Sequence, residues 1–293
     1  MTTVYMNGEY LPKEEATVSP DDRGFLLADG VYEVTPAYGG EFFGMEGHLD
    51  RLERGLDELR IDLDVEPLAE VHRRLLDENG LADAPTSKVY LQVTRGAARR
   101  QHAFPERSPE PTVYAFATGW QAPGAAEWEE GWSAVTVPDR RWSRVDIKSI
   151  ALLPNVLAQQ AARDAGADES VFVHDGVAIE GAHANFWAVL DGTVATHPVT
   201  NRILPGITRA TVLRLARERG HAVRERPIQV EELRGADEIF LTGTTTEVRP
   251  ITELDGEIVA DGSPGPVSRD LFLAYREEVG GAAPAFAAPA RGG

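Results

Sequence analysis

The sequence is most informative in the segment Val145–Leu153, which reads Val-Asp-Ile-Lys-Ser-Ile-Ala-Leu-Leu. Of the 29 Lys and Arg residues in the chain, only three are lysines, namely Lys13, Lys88 and Lys148. Lys13 and Lys88 have ordinary surface contexts in the sequence, whereas Lys148 lies in an apolar stretch where a solvated cation would be costly. A desolvated amine can lose its proton and form an imine with a carbonyl, which a guanidinium cannot do. Lys148 is therefore a candidate catalytic lysine, and the alternative is a lysine that caps the helix predicted after it.

The composition is that of a globular protein with an acidic surface. The 293 residues are 42% hydrophobic and 26% charged, and this length suggests about two domains. The formal net charge is -18, and the isoelectric point is about 4.8. Nucleic acids and anionic membrane surfaces would repel such a chain, so we expect neither as a partner.

Several site types are excluded by what the sequence lacks. The chain has no cysteine, which rules out disulfides, a thiolate metal site and a cysteine nucleophile, and we expect no metal. The first residues show no charged region followed by an apolar run, so no signal peptide is expected. No stretch reaches the roughly 18 apolar residues of a transmembrane helix. We therefore expect a cytoplasmic enzyme.

Turn signals and hydrophobic periodicity divide the chain into short elements. Asn7-Gly8 and Gly39-Gly40 predict two hairpins, and leucines at helical spacing predict helices over 48–60 and 68–80. Further strands are predicted over 89–94, 113–117, 134–137, 171–174, 186–190 and 238–241. Further helices are predicted over 155–165, 207–219 and 267–279.

The mixture of strands and helices has no regular βαβ rhythm. This favours a two-domain α+β or α/β chain over a doubly wound sheet or a TIM barrel. A Gly/Pro-rich linker is predicted over 119–124, which gives a first domain over 1–118 and a second over 125–280. The remaining residues, 281–293, are rich in Gly, Ala and Pro and are predicted to be disordered.

An acid in an apolar run marks a second candidate residue. Glu180 lies in the stretch Ile179–Asn185, which reads Ile-Glu-Gly-Ala-His-Ala-Asn. A carboxylate there could pair with a pyridinium nitrogen and keep it protonated, which makes the ring an electron sink. The alternative is a solvated acid in a hairpin turn.

Two further segments could bind a phosphate through backbone N–H groups and hydroxyls. Leu204–Arg209 reads Leu-Pro-Gly-Ile-Thr-Arg and precedes a predicted helix, and Leu241–Glu247 reads Leu-Thr-Gly-Thr-Thr-Thr-Glu. Neither is a Walker loop, because the Gly-Lys-Ser/Thr element is missing. Arg51 could supply a fixed charge for that phosphate. The alternatives are an N-terminal helix residue for Thr208 and a solvated helix arginine for Arg51.

The pair Arg100-x-His102 could clamp a carboxylate. Two cationic or donor groups one residue apart on a loop can hold it by charge-assisted hydrogen bonds. The alternative is a solvated basic patch on the surface, formed by Arg99, Arg100 and His102.

Taken together, these segments resemble the fold-type IV, branched-chain-aminotransferase-like family of pyridoxal phosphate (PLP) enzymes over roughly residues 3–280. The resemblance rests on the order and spacing of motifs at 22–24 (Asp-Arg-Gly), 29–34, 46–52, 93–96, 100–102, 146–149, 180–185 and 206–209. It implies a small N-terminal α/β domain, a large C-terminal PLP-binding domain, and a homodimer with the cofactor near the domain cleft.

The resemblance also implies a role for each candidate residue. Lys148 would be the Schiff-base lysine and the base that moves a proton, and Glu180 would be the partner of the pyridine nitrogen. Leu204 would lie against the ring. The phosphate would be held by Arg51, Ile207, Thr208 and Thr244.

Within the family, the Arg100-x-His102 motif resembles that of D-amino acid aminotransferases. There it reaches in from the other subunit and, together with the residue corresponding to Tyr32, traps the α-carboxylate of the substrate. This implies transfer of an amino group from a D-amino acid, such as D-alanine or D-glutamate, to 2-oxoglutarate or pyruvate. The alternatives are a branched-chain L-aminotransferase, an (R)-amine aminotransferase, an aminodeoxychorismate lyase, and a catalytically dead dimeric binding protein.

The sequence departs from the family pattern near the cofactor. Ala182, His183 and Ala184 stand where serines are frequent, and Gly243 stands where a hydroxyl can contact the phosphate. Pro36 lies in the strand after Tyr32 and could reshape a pocket wall. These departures bear on cofactor affinity and side-chain preference rather than on the reaction class.

Overall fold

The computed structural model describes residues 2–281 and Phe286 and divides the chain into two compact units. Unit 1 consists of the residues up to Gln121 together with Arg141–Pro154 and Thr200–Ile207. Unit 2 consists of Ala122–Arg140, Asn155–Val199 and the described residues from Thr208 onward. Lys148 therefore belongs to unit 1, although residues 122–140, which precede it, belong to unit 2.

The described part of unit 1 is built on a six-stranded sheet with the order β2-β1-β6-β5-β3-β4, and its paired strands are antiparallel. The strands are β1 (Thr3–Met6), β2 (Glu9–Pro12), β3 (Gly30–Tyr38), β4 (Glu41–Phe42), β5 (Thr86–Thr94) and β6 (Thr112–Gly119). The helices are α1 (Arg23–Leu27), α2 (Met45–Leu59) and α3 (Leu68–Glu78). A short 3-10 turn covers Lys13–Glu15.

Turn residues with positive φ form the two hairpins of this sheet. Asn7 and Gly8 have φ values of 49° and 98° between β1 and β2. Gly39 and Gly40 have φ values of 57° and 85° between β3 and β4. Asn and Gly tolerate this left-handed region, which other residues avoid. Both hairpins predicted from these dipeptides are present.

The sheet of unit 1 packs against α2 and α3. One cluster of buried apolar residues includes members of both helices and of the central strands, among them Leu52, Leu56, Leu75, Val89, Leu91 and Val93. Leu75 and Leu91 are fully buried, so truncating either to alanine would cost about 2–5 kcal/mol of stability. This core gives β3 and β5 a rigid support.

Unit 2 contains the remaining elements. Its helices are α4 (Ala125–Glu130), α5 (Leu153–Asp164), α6 (Ile207–Glu218) and α7 (Pro266–Glu278), of which α5 and α6 begin with residues of unit 1. Its strands are β7 (Trp132–Pro138), β8 (Glu169–His174), β9 (Val177–Gly181), β10 (Asn185–Leu190), β11 (Thr193–Thr196), β12 (Ala222–Glu225), β13 (Ile228–Gln229), β14 (Glu238–Gly243), β15 (Glu247–Leu254) and β16 (Glu257–Ile258). A 3-10 segment covers Val230–Gly235.

The strands of unit 2 pair into a ring. The described sheet has the order β12-β11-β10-β14-β15-β7-β8-β9-β13, with β16 beside β15, and β9 also pairs with β10. The strands β9, β10, β14, β15, β7 and β8 are therefore connected in a closed circuit of pairings. Parallel pairing joins β7 to β8 and β11 to β12, and α5 and α6 respectively lie between these strands in the chain. Such crossovers are the usual connection between parallel strands.

Most predicted helices and strands are present within a few residues of their predicted bounds, but several elements were missed, most of them short. These are α1, α4, β9, β11, β12, β13, β15 and β16. Pro250 lies inside β15, and a proline normally argues against a strand. The predicted tail over 281–293 lies outside the described residues except for Gly281 and Phe286, whose ring centroid lies 5.3 Å from that of Trp128. None of the described helices is long and apolar enough to span a membrane.

Candidate active site

Backbone hydrogen bonds hold Lys148 beside the start of β3. The N–H of Tyr32 donates to the carbonyl of Lys148 at 3.0 Å, and the N–H of Ile150 donates to the carbonyl of Gly30 at 3.1 Å. An antiparallel bridge joins Val31 to Ser149 between them. The segment around Lys148 therefore runs alongside β3 like a short extra strand, which fixes the lysine next to Tyr32.

The amine of Lys148 lies over an aromatic ring. Its Nζ is 4.3 Å from the centroid of the Tyr32 ring, and its side chain is partly buried. Among the described residues, Lys148 forms no ion pair with a carboxylate. The ring face stabilises a nearby cation by about 0.5–2 kcal/mol. The amine is thus positioned without being tied to an acid.

Tyr32 is the first of a row of aromatic rings on the sheet of unit 1. Its ring stacks on Tyr90 at 5.6 Å, and Tyr90 stacks on Phe116 at 5.2 Å. Burial raises the pKa of Tyr90 to about 12, so its hydroxyl stays neutral and donates to Gln92 Oε1 at 2.7 Å. On the same strand, burial lowers the pKa of Lys88. The sequence-based expectation of an ordinary surface setting for Lys88 is therefore wrong.

Arg51 belongs to a buried polar cluster. Its Nε and Nη2 donate to the two carboxylate oxygens of Glu33, each at 2.7 Å, and its Nη1 donates to the carbonyl of Pro205 at 3.0 Å. His48 Nδ1 lies 2.7 Å from Glu33 Oε2. Arg51 is 8% exposed and Glu33 is 1% exposed. The alternative of a solvated helix arginine is therefore wrong for Arg51.

The cluster around Arg51 keeps its acid ionised. Burial alone would raise the pKa of Glu33, but the charge and hydrogen bonds of Arg51, with a further hydrogen bond from His48, lower that pKa strongly. Burial lowers the pKa of His48. A guanidinium has more N–H donors than these contacts use, so Arg51 can still bind an anion. Glu33 was not predicted as a site residue. Val31, Glu33 and Thr35 alternate with less buried residues along β3, and this alternation places an acid on the buried face of the strand.

Ile207 packs closely against the beginning of α2. A Cβ atom added at Gly44 would lie 2.9 Å from Ile207 Cγ2, and one added at Gly47 would lie 3.3 Å from Ile207 Cδ1. Gly44 also has a φ of 66°. A larger residue at this position would therefore be disfavoured both by the contact with Ile207 and by the left-handed backbone. Leu204 is partly buried and directly precedes Pro205, whose carbonyl accepts from Arg51. Arg51 and the segment 204–207 are thus held together in unit 1.

The structure leaves the proposed carboxylate clamp open. Arg100 and His102 are both exposed. Within the described part of the chain, neither side chain forms a hydrogen bond or an ion pair.

Glu180 lies where the circuit of strand pairings in unit 2 closes. The strands β9 and β10 pair through Glu180 and Asn185, and the amide Nδ2 of Asn185 donates to Glu180 Oε2 at 3.1 Å. Glu180 is 4% exposed and Asn185 is 5% exposed. The alternative of a solvated acid in a turn is therefore wrong, since Glu180 is a buried strand residue.

The turn after Glu180 is ordered by a second buried acid, Glu169, which the sequence analysis did not identify. Its Oε1 accepts from the N–H of Ala182 at 3.3 Å, and its Oε2 lies 3.0 Å from His183 Nδ1. Asn155 Nδ2 donates to the carbonyl of Ala182 at 2.6 Å. The residues that replace the family serines are therefore held by other contacts.

Two threonines of unit 2 lie at positions suited to a phosphate. Thr208 is the second residue of α6 and is 5% exposed. Thr244 is partly buried in the turn between β14 and β15, beside Gly243, where an added Cβ would lie 3.2 Å from Thr246 Oγ1. The first N–H groups of a helix have no partner within it and attract anions.

The chemical groups present fit PLP. Unit 1 offers a primary amine that has no acid partner among the described residues and an arginine with spare donors, and unit 2 offers a buried carboxylate and threonine hydroxyls. An imine with an aldehyde, a partner for a pyridinium and a phosphate site need these groups. Within the described residues, no group of three or more His, Cys, Asp or Glu side chains is suited to a metal ion.

Comparison with known proteins identifies the family. The family model for amino-transferase class IV matches residues 30–254. The chain belongs to the amino-transferase class IV family. Among the similar proteins, the D-alanine aminotransferase of Staphylococcus epidermidis is 42% identical over 281 residues, which cover 95% of this chain and 98% of that protein. The D-alanine aminotransferase of Bacillus licheniformis is 39% identical over 277 residues, covering 94% and 96% of the two chains.

Solved structures of branched-chain amino acid aminotransferases share the fold. A branched-chain amino acid aminotransferase of Escherichia coli is 27% identical, with a TM-score of 0.87 and coverage of 94% of both chains. A branched-chain amino acid aminotransferase of T.th., solved with pyridoxamine 5'-phosphate, is 28% identical, with a TM-score of 0.86 and coverage of 95% of this chain and 94% of that one.

These comparisons confirm several predictions made from the sequence. The predicted family and its two-domain fold-type IV architecture are confirmed. The predicted enzyme class and cofactor, a PLP-dependent aminotransferase, are confirmed as well. The roles of individual site residues, the homodimer and the domain bounds stay predictions.

Proposed function

We propose that this class IV enzyme transfers an amino group from a D-amino acid, such as D-alanine or D-glutamate, to a 2-oxo acid such as 2-oxoglutarate or pyruvate. The observation that carries the reaction class is Lys148, a primary amine that lies 4.3 Å from the Tyr32 ring centroid without an acid partner among the described residues. The D-alanine aminotransferase relatives, at 39–42% identity over nearly the whole chain, support the D-amino acid substrate.

PLP, when bound, supplies an aldehyde for covalent attachment and an aromatic ring that delocalises the electrons of a Cα carbanion. Lys148 would hold the cofactor through its Nζ and would serve as the base that takes the proton from the substrate Cα. The Tyr32 ring beneath Nζ limits the directions from which the amine can act. Lys148 therefore addresses one face of the substrate.

Glu180 keeps the pyridine nitrogen protonated in this proposal. Its burial and the hydrogen bond from Asn185 support the role, because they hold one carboxylate oxygen in a defined position away from bulk water. A buried ionised carboxylate favours a protonated partner strongly. Leu204 would lie against the ring and help to exclude water.

The phosphate would be held by groups from two helices, α2 and α6, and from the turn after β14. Arg51 supplies the fixed positive charge, and its anchoring by Glu33 sets the direction of the guanidinium. Ile207 and Thr208 contribute backbone N–H groups at the beginning of α6, with the Thr208 hydroxyl as a further donor. Thr244 adds a hydroxyl and a backbone N–H from the turn after β14.

Arg100 and His102 bind the α-carboxylate together with the Tyr32 hydroxyl. Their exposure and lack of partners within the described chain support a role in the active site of a second subunit. The side of the pocket that traps the carboxylate decides which enantiomer presents its Cα proton to Lys148. The clamp thus accounts for D-specificity.

A homodimer follows from this arrangement of the clamp. It is further supported by α5, on which Leu153, Val156 and Leu157 lie at helical spacing. Their exposed fractions are 68%, 60% and 63%. Such an apolar stripe is typical of an interface.

We also propose a cytoplasmic location, a small N-terminal domain over 1–118, a linker over 119–124 and a large PLP-binding domain over 125–280.

A branched-chain L-aminotransferase is the second candidate, because solved structures of that activity have the same fold at 27–28% identity. The test is a panel of D-amino acids, L-leucine, L-valine and (R)-1-phenylethylamine. We expect D-alanine or D-glutamate to have the highest kcat/KM. A preference for L-leucine or L-valine over every D-amino acid would replace our proposal by the branched-chain activity.

The catalytic lysine is tested by Lys148→Ala, with Lys88→Ala as the control for the loss of a partly buried lysine. We expect Lys148→Ala to lower kcat by at least about 100- to 10,000-fold, because the base is lost, while circular dichroism shows an intact fold. Lys88→Ala should retain most of its activity. Substantial activity in Lys148→Ala would refute the assignment of the catalytic lysine.

A further inference from the structure

A fully buried arginine lies below the loop that carries the clamp. Arg23 is 2% exposed and follows Asp22, the residue that caps α1. Its Nε donates to Asp29 Oδ2 at 2.7 Å. Its Nη1 donates to the backbone carbonyl of Gln101, also at 2.7 Å. Gln101 is the residue between Arg100 and His102, so this hydrogen bond holds the backbone of the clamp itself.

Arg23 belongs to a network of ion pairs that holds its guanidinium in place. Asp29 also accepts from Arg95, through Nε at 2.8 Å and Nη2 at 3.0 Å. Arg95 in turn donates to the carbonyls of Leu59 at 2.6 Å and Arg60 at 3.1 Å. Burial alone would raise the pKa of Asp29, but the hydrogen bonds from Arg95 and Arg23 lower it. Asp29 therefore favours its ionised form between the two arginines.

A second contact holds the loop further along. The guanidinium of Arg95 lies 3.8 Å from the ring centroid of Phe104. Arg95 is 3% exposed, whereas Phe104 is 44% exposed. The same buried network thus contacts the loop at two places, at Gln101 through Arg23 and at Phe104 through Arg95.

The base of the loop is also closed. A Cβ atom added at Gly96 would lie 1.9 Å from the carbonyl oxygen of Glu110, so the chain entering and the chain leaving the loop touch there. The N–H of Arg23 donates to the carbonyl of Gly96 at 3.0 Å, and the N–H of Ala98 donates to that of Asp21 at 3.1 Å. Between these anchors, Arg100 and His102 remain exposed.

We propose that Arg23 is a positioning residue for substrate carboxylate recognition, acting through the Gln101 carbonyl on Arg100 and His102, with Arg95 and Phe104 as the second anchor. This rests on the proposed function, in which Arg100 and His102 bind the α-carboxylate. A loop held in one conformation binds a carboxylate without first being ordered. Arg23 therefore affects substrates through their carboxylate and leaves the chemistry at Lys148 unchanged.

The test compares Arg23→Lys and Phe104→Ala in the holoenzyme. A lysine can keep the charge next to Asp29 but cannot also reach the Gln101 carbonyl as the guanidinium fork does. Losing that charge-assisted bond should raise KM for D-alanine about ten-fold, with kcat little changed. Phe104→Ala removes an exposed side chain without threatening the fold and should raise KM roughly two- to five-fold.

Two controls separate loop positioning from general damage. Hydroxylamine is an amine nucleophile without a carboxylate, and its rate of reaction with the bound cofactor, followed by visible absorbance, should be unchanged in both variants. Arg249→Lys alters an arginine that is also 3% exposed, whose Nη2 donates to Glu127 Oε1 at 3.0 Å. It should leave KM for D-alanine unchanged. A parallel loss of hydroxylamine reactivity and D-alanine turnover would overturn the proposal.

A double-mutant cycle with Arg100→Ala distinguishes this proposal from the proposed function. If Arg23 acts through the clamp, Arg23→Lys should raise the KM of Arg100→Ala by a smaller factor than it raises that of the wild type, because only the effect on His102 is left. Additive effects would overturn the positioning role and leave the clamp intact. An unchanged KM for D-alanine in Arg100→Ala alone would instead refute the clamp, and the positioning role with it.

Discussion

Replacing Glu33 by glutamine tests whether Arg51 faces the cofactor phosphate. The Glu33 carboxylate is 1% exposed, receives two hydrogen bonds of 2.7 Å from Arg51 and lies 2.7 Å from His48 Nδ1. Glutamine keeps the shape and one acceptor oxygen but removes the negative charge. The guanidinium of Arg51 then remains buried without a counter-ion.

The expected magnitude depends on whether the cofactor is bound. Removing one partner of a buried ion pair costs about 3–5 kcal/mol, so we expect this loss in the free energy of unfolding of the cofactor-free protein. A bound phosphate at Arg51 would supply the missing anion, and a hydrogen bond to a charged group contributes about 1.5–3 kcal/mol. The loss should therefore be smaller by that amount in PLP-saturated protein, with PLP bound roughly ten- to a hundred-fold more tightly than in the wild type.

The assay is denaturant unfolding of Glu33→Gln with and without saturating PLP, each compared with the wild type in the same form. Asp29→Asn is the matched control, because Asp29 is also a buried carboxylate paired with two arginines, Arg23 and Arg95. Asp29→Asn should cost a similar amount in both forms, since no assigned cofactor contact involves it. An equal or larger loss for Glu33→Gln in the saturated form would refute the placement of the phosphate at Arg51.

Three further outcomes are expected. Glu180→Gln should still bind PLP but turn over slowly in single-turnover measurements of both half-reactions, since an amide cannot hold the ring nitrogen protonated; wild-type rates would leave Glu180 a structural residue only. Mixing inactive Lys148→Ala with Arg100→Ala subunits should recover activity, because one hybrid pocket then carries both wild-type residues; no recovery after confirmed subunit exchange would mean that each pocket is built from one chain. The free energy of unfolding should fall as the pH drops below about 4. The folded-state pKa values of Asp29 and Glu33 lie below their ordinary values of 3.8 and 4.5, so their ionised forms stabilise the fold and are lost at low pH. The stability of Asp29→Asn should depend less on pH, and parallel stability curves for this variant and the wild type would contradict the reasoning.

Local sequence patterns were sufficient for much of the fold. The dipeptides Asn7-Gly8 and Gly39-Gly40 predicted both hairpins, because positive φ is a property of the residue itself. The spacing of leucines predicted α2 and α3, because one face of a helix must be apolar to pack. Lys148 was identified by the scarcity of lysine, since amine chemistry depends on residue type. None of these inferences needs a distant contact.

Patterns failed where an element depends on its neighbours. The strand β15 contains Pro250, which local propensity rejects, yet it pairs with β14 and β7 over most of its length. Glu180 was identified as a candidate, but its burial follows from the pairing of β9 with β10 through Asn185. The pairing of β15 with β7 joins Ile251 to Trp132, which are far apart in the chain, so it cannot be deduced from a window of sequence.

The tertiary structure alone decided which polar residues act together. Arg51 could be proposed from the sequence, but its partner Glu33 lies 18 positions away, and Arg23 meets the carbonyl of Gln101 across 78 positions. A buried charge is stable only beside its counter-charge and hydrogen-bond partners. Those partners are chosen by how the elements pack, and so the amino-acid sequence supplied the chemical groups while the folded chain determined which of them meet.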